Sequence, residues 1–158
     1  MKLSFADYKD KVRACWLGKN IGGTLGTPFE GKRGVFDVKG YTHDISKGAL
    51  PNDDLDLQLV FLRAAEEYGT KVTSAQLGEY WMNQIVAHWS EYGTGKSNMR
   101  IGLIPPISGK YKNPMGNSCG CFIRSEIWAC LAPGHPEIAV KYALEDAMVD
   151  HAEEGLYG

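Results

Sequence analysis

No run of lysine and arginine in this chain is long enough to form a basic patch. The net charge is −2, so an electrostatic footprint for nucleic acid is lacking both overall and locally. No apolar window reaches the length that a membrane span needs. The opening MKLSFADYKDK has no apolar run that would act as a secretion signal. These absences lead to the expectation of a cytoplasmic protein with neither a membrane nor a nucleic-acid partner. Cysteine is scarce as well: Cys15, Cys119, Cys121 and Cys130. Cys119-Gly120-Cys121 opens like a zinc motif, but no second Cys or His pair follows at zinc spacing, so the four read as reduced, largely buried thiols. The glycine-rich stretch GKNIGGTLGTPFEG lacks the GKS or GKT of a phosphate loop and follows no hydrophobic strand. No internal repeat and no confident strand is found.

What is present points to one soluble, all-α domain over residues 1–158, with long loops between helices. The content is 44% hydrophobic and 23% charged, the balance of a chain that can bury a core. Helices are expected over Ser4–Asn20, with Ser4 as N-cap and Asp7 three residues on, over Asp53–Tyr68, closed by Gly69, and over Thr73–Trp89. A final pair is expected at Ser118–Leu131 and Pro136–Glu153, the second starting with Pro136 at its first position. Residues Lys32–Leu50 read as irregular, with a weak strand at Gly34–Val38, and Ser90–Lys112 as loop. Leu55, Leu59, Leu62 and Ala65 are expected to share the buried face of the second helix. Trp81, Trp89, Trp128, Tyr80 and Tyr142 read mainly as core.

The densest chemistry lies in LPNDDLDLQ, residues 50–58. Asn52, Asp53, Asp54 and Asp56 fall within five positions, after Pro51 and before an apolar run. Carboxylates this crowded repel one another and need compensation. The unpaired amides and positive dipole of a helix N-terminus supply it in one reading, with Asn52 as the cap. A hard divalent cation supplies it in the other. Adjacent helical residues diverge by about 100°, so Asp53 and Asp54 converge on one ion only at a frayed helix start. Asp146, Asp150, Glu153 and Glu154, at helical spacing, read as a solvated face.

Three segments taken together, KNIGGTLGTPFEG, PNDDLDLQLVFL and CGCFIRSEIWACLAPGHPEIAVKYALEDAMVDHAEEGLYG, resemble the ADP-ribosylglycohydrolases. The resemblance covers nearly the whole chain but only the N-terminal half of a typical member. It implies an all-helical bundle, here incomplete, and a Mg²⁺ or Mn²⁺ site that removes ADP-ribose from modified side chains or small conjugates. Carried over by position, the family's metal triplet falls on Asn52, Asp53 and Asp54, and its catalytic glutamate on Glu30. An aspartate of the family falls on Gly23, so that acid is missing. The family's Asn-Gly…Arg run falls on Cys119, Gly120 and Arg124, with Asn117 as a stand-in for the Asn. The family's Thr-His pair resembles Asp150-His151.

The resemblance thus implies Glu30, Asp53 and Asp54 as catalytic residues and Asn52, Asp53 and Asp54 as metal ligands. Arg124, His151, Asn117 and Gly120 are the implied substrate contacts. For Arg124 a structural salt bridge with Glu126 or another acid is the competing reading, and for His151 a hydrogen-bonded structural role. The family's second metal motif is absent. The expectation is therefore a metal-dependent hydrolase of ADP-ribosyl linkages, or its N-terminal portion, with an inactive structural or binding protein on the same scaffold as the alternative. A homo-oligomer or a complementary C-terminal half is the expected partner.

Overall fold

The computed structural model describes residues 2–157. Seven α-helices and four short 3₁₀ turns make up its regular structure, with no strand among the described residues. The chain divides into two compact units, Met1–Asp56 and Leu57–Gly158.

In the first unit, α1 spans Phe5–Gly26. Ser4 caps it: its Oγ accepts the Asp7 N–H at 3.1 Å and donates to Asp7 Oδ2 at 2.6 Å. The helix runs on through the glycines after Asn20, where the sequence reading ended it, because only Pro28 lacks the amide to continue. It stops at Gly26, with Thr27 Oγ1 bonded to the Gly23 carbonyl at 2.7 Å. The 3₁₀ turn Thr27–Phe29 follows. Residues 34–38 form no strand; Phe36 turns back to meet the Phe29 ring at 5.1 Å. Thr24 is the only buried residue of α1, and Phe5, Leu17 and Ile21 are 78%, 55% and 46% exposed.

The unit boundary falls inside α2, Asp53–Tyr68, whose ends match the sequence expectation. Its buried face differs in part. Leu55 is buried as expected, and Leu62 and Ala65 are half-buried, but Leu57, Gln58, Phe61 and Ala64 are the inside residues and Leu59 is 56% exposed. Gln58 is tolerated in the core because its amide is satisfied at both ends: Nε2 donates to Glu126 and Oε1 accepts the Ile127 N–H at 2.9 Å. A reading that follows only apolar residues passes over such a glutamine.

In the second unit, α3 spans Ser74–Gln84 and starts in a full capping box between Thr73 and Gln76. It ends at Gln84 rather than Trp89, and Val86 and Trp89 are left exposed. The segment read as loop contains α4, Ser90–Arg100, and the single turn α5, Ile107–Lys110. Glycine inside α4 disfavours a helix by propensity, but packing requires it. A Cβ at Gly95 would come within 3.0 Å of Asp150 Cβ and 3.1 Å of the Val149 carbonyl. The chain then forms the 3₁₀ turn Phe122–Arg124, α6 at Glu126–Leu131, α7 at Pro136–Ala147 and a last 3₁₀ turn at Glu153–Leu156. Pro136 opens α7 as expected. Around these helices lies a core of Phe61, Leu77, Trp81, Trp128 and Val149, each no more than 1% exposed.

Candidate functional site

The sequence-predicted residues fall into two groups, one in each unit, and Glu30 lies on a loop of the first unit. The first group opens α2. The Asn52 carbonyl accepts the Leu55 and Asp56 N–H groups at 3.1 and 3.0 Å, which makes Asn52 the N-cap. Its side-chain Oδ1 accepts the Asp54 N–H at 2.9 Å. The other end of the amide faces α1: a Cβ at Gly23 would overlap Asn52 Nδ2 and lie 3.1 Å from Cγ. The missing side chain at position 23 thus leaves the space that the Asn52 amide fills. Asp53 and Asp54 follow, both half-buried on the first helical turn. Glu30 is exposed just beyond the 3₁₀ turn, its N–H bonded to the Thr27 carbonyl. Among the described residues, no three His, Cys, Asp or Glu side chains gather closely enough to hold a metal ion. By donor chemistry Asp53 and Asp54 suit a hard cation. The Asn52 oxygen bonds the Asp54 N–H and keeps a second lone pair.

The second group is built on Arg124, which is 0% exposed. The fork expected to face a phosphate is occupied by two carboxylates. Nε and Nη2 bond Asp146 Oδ1 at 3.0 and 2.9 Å, and Nη2 and Nη1 bond Asp150 at 2.7 and 3.0 Å. Three rings surround the guanidinium, with its carbon 4.8 Å from the Trp81 centroid and 5.6 Å from those of Phe61 and Tyr92. Asp146 and Asp150 are thus core residues, 1% and 0% exposed, and not the solvated face that their spacing suggested. Their partner lies 22 and 26 residues earlier, beyond the reach of any periodicity. Burial pushes the Asp146 carboxyl above the usual aspartate range, even with Arg124 and the Trp128 indole N–H against it. Burial also works against the charged form of Asp150, but Arg124 and the bond from His151 outweigh it and hold that carboxyl below the usual range. Burial alone would lower Arg124; the two carboxylates keep it firmly charged.

His151, 1% exposed, continues the network. Its Nδ1 is 2.8 Å from Asp150 Oδ1 and its Nε2 is 3.1 Å from Ser118 Oγ. Glu91 Oε1 lies 3.9 Å from Nε2. Asn117 is exposed and accepts the Gly155 N–H through Oδ1 at 3.2 Å. Gly120 is buried against Glu91, whose carboxylate a Cβ would strike. The structure therefore brings Arg124, His151, Asn117 and Gly120 into one neighbourhood, with Arg124 and His151 joined through Asp150. Sequence reasoning missed Ser118, Asp150 and Glu91 here. For Ser118 a signal existed, the G-x-S-x-G pattern of Gly116-Asn117-Ser118-Cys119-Gly120. A groove of about 640 Å³ between α2 and α3, lined by Arg63, Glu67, Tyr68 and Tyr80 among others, contains none of the sequence-predicted residues.

Comparison with curated proteins and with solved structures returns no match. The sequence pattern of the ADP-ribosylglycohydrolase family matches residues 4–158. That span takes in α1, the opening of α2 and the Arg124–His151 network, and the chain belongs to the ADP-ribosylglycohydrolase family.

Proposed function

We propose that the chain serves a metal-dependent hydrolase that cleaves ADP-ribosyl glycosidic linkages, on modified side chains or on small conjugates. One observation carries this reading. In a chain of this family, Asp53 and Asp54 stand side by side and half-buried on the first turn of α2. Two adjacent carboxylates supply hard oxygen donors of the kind a divalent cation takes. Asp53 and Asp54 would hold Mg²⁺ or Mn²⁺, which when bound grips sugar hydroxyls and lowers the pKa of water. Asn52 fixes where the two acids begin by capping the helix. Glu30, on an exposed loop, is the carboxylate assigned to proton removal from water. Asn117 and His151 are the assigned substrate contacts; Arg124, enclosed in the core, supports His151 through Asp150.

A second reading, a binding or structural protein on the same scaffold, is favoured by the Asn52 side-chain oxygen, which faces a backbone amide. Calorimetric titration with Mn²⁺, with and without ADP-ribose, separates the two. The hydrolase reading expects saturable Mn²⁺ binding that Asp53→Ala with Asp54→Ala abolishes, and a rise in Tm on adding the ion. Identical heats and melting curves for both proteins would leave the scaffold reading.

A further inference from the structure

We propose that Ser118, His151 and Asp150 form a nucleophilic hydroxyl centre that opens short carboxylic esters by acyl transfer. It needs no metal, and the residue it shares with the hydrolase reading is His151. The polarity of the relay follows from its partners. The Asp150 carboxylate can only accept, so His151 Nδ1 donates to it at 2.8 Å. The lone pair of Nε2 then faces Ser118, whose O–H donates across 3.1 Å. This is the arrangement in which an imidazole takes the proton of a serine hydroxyl while a buried acid holds its tautomer and steadies the imidazolium. Asp150 is itself fixed, with each of its oxygens bonded to Arg124. Glu91 Oε1, 3.9 Å from Nε2, adds a second negative charge facing the ring.

Burial is graded in the sense a nucleophile needs. Asp150 and His151 are sealed, whereas Ser118 is partly open to solvent. The backbone closes tightly around the pair. The Gly116 carbonyl accepts the Ala152 N–H at 3.1 Å, and Asn117 Oδ1 accepts the Gly155 N–H, so the serine turn and the histidine segment are tied on both sides. A Cβ at Gly109 would collide with the His151 backbone. Ser118 matches G-x-S-x-G by sequence but lies in a turn with no strand before it among the described residues. The donor to a developing oxyanion is therefore assigned by position alone, as the N–H of the residue after the nucleophile. The Cys119 N–H has no acceptor among the described residues. A polar cleft of about 80 Å³ lies between Gly116-Asn117 and Ala152-Glu153, the residues flanking the relay.

The chemistry balances without a cofactor. Ser118 Oγ bonds to the acyl carbon as its proton passes to His151 Nε2. The ester C–O bond breaks, and the alkoxide takes that proton and leaves as alcohol. Water, deprotonated by Nε2, then releases the carboxylic acid and restores the serine. The experiment uses the full chain in EDTA with p-nitrophenyl acetate as substrate and a fluorophosphonate as covalent probe. We expect one adduct per chain, mapped by mass spectrometry to the peptide holding Ser118. Hydrolysis should fall at least about 100-fold in Ser118→Ala, with an unchanged melting curve, and stay at the wild-type rate in Ser97→Ala. Ser118→Cys should retain covalent capture of the acyl group. No adduct, an adduct elsewhere, or undiminished hydrolysis by folded Ser118→Ala would overturn the proposal and leave the Ser118–His151 bond as a structural tie.

Discussion

Two pairs of aspartates divide this molecule, and the spacing within each decides what it can do. Asp53 and Asp54 are neighbours, so on a helix their side chains diverge. They stay half-buried, and their compensation comes from the helix start, where Asn52 anchors the Asp54 amide. Asp146 lies in the last turn of α7 and Asp150 in the turn just past its end, and both reach Arg124. That geometry lets both close on Arg124 in the core. The first pair lies half-buried at a helix start; the second is closed on a cation inside the core.

The largest effect expected from breaking this contrast is on stability. Arg124→Ala leaves two buried carboxylates without their cation and should cost about 3–5 kcal/mol in urea unfolding. Asp53→Asn in the same assay should cost no more than about 1 kcal/mol, the scale of a charge at a helix end. Equal losses would erase the distinction between the pairs. Asn52→Ala sharpens the first pair on its own. Loss of the cap should cost about 1 kcal/mol and leave intrinsic Mn²⁺ affinity nearly unchanged. A large drop in Mn²⁺ affinity with no loss of stability would instead make Asn52 a ligand.

At neutral pH the smallest effect belongs to Cys121, which lies against the second network and donates its thiol to the Gly155 carbonyl. Burial pushes this thiol up to about 11. An unfolded cysteine titrates near ~8.5, so between these values the unfolded chain gives up a proton that the folded chain keeps. The stability contributed by the neutral thiol is complete below ~8.5 and lost as pH rises towards 11. Chemical unfolding across that window should show a decline that Cys121→Ala flattens. At neutral pH, iodoacetamide should label the exposed Cys119 and spare Cys121.

What could be read beforehand follows the same division between local and distant causes. The α2 limits, the Ser4 cap and the proline start of α7 were legible, because each depends on residues within one turn. So was the crowding of acids at 52–56. α4 was not legible, since its glycines disfavour a helix locally and are repaid by the close approach of Gly93 to the His88 backbone and of Gly95 to Asp150. The relay through Ser118, His151 and Asp150 joins residues about thirty positions apart, and Asp150 looked solvated until Arg124 was placed beside it. The direction of the Asn52 amide likewise depended on Gly23, 29 residues earlier. An absent side chain leaves no pattern to find.

The enclosure of Arg124 has an optical consequence. Indole emission responds to the electric field across the ring, and Trp81 carries a fixed positive charge 4.8 Å from its centre. Trp128 gives its N–H to the carboxylate of Asp146 that completes the pair. The ion network is thus wired to two chromophores that are shielded from water. A shift in their emission would report on the state of the charges before any helix had moved, and the protein could be followed by its own light.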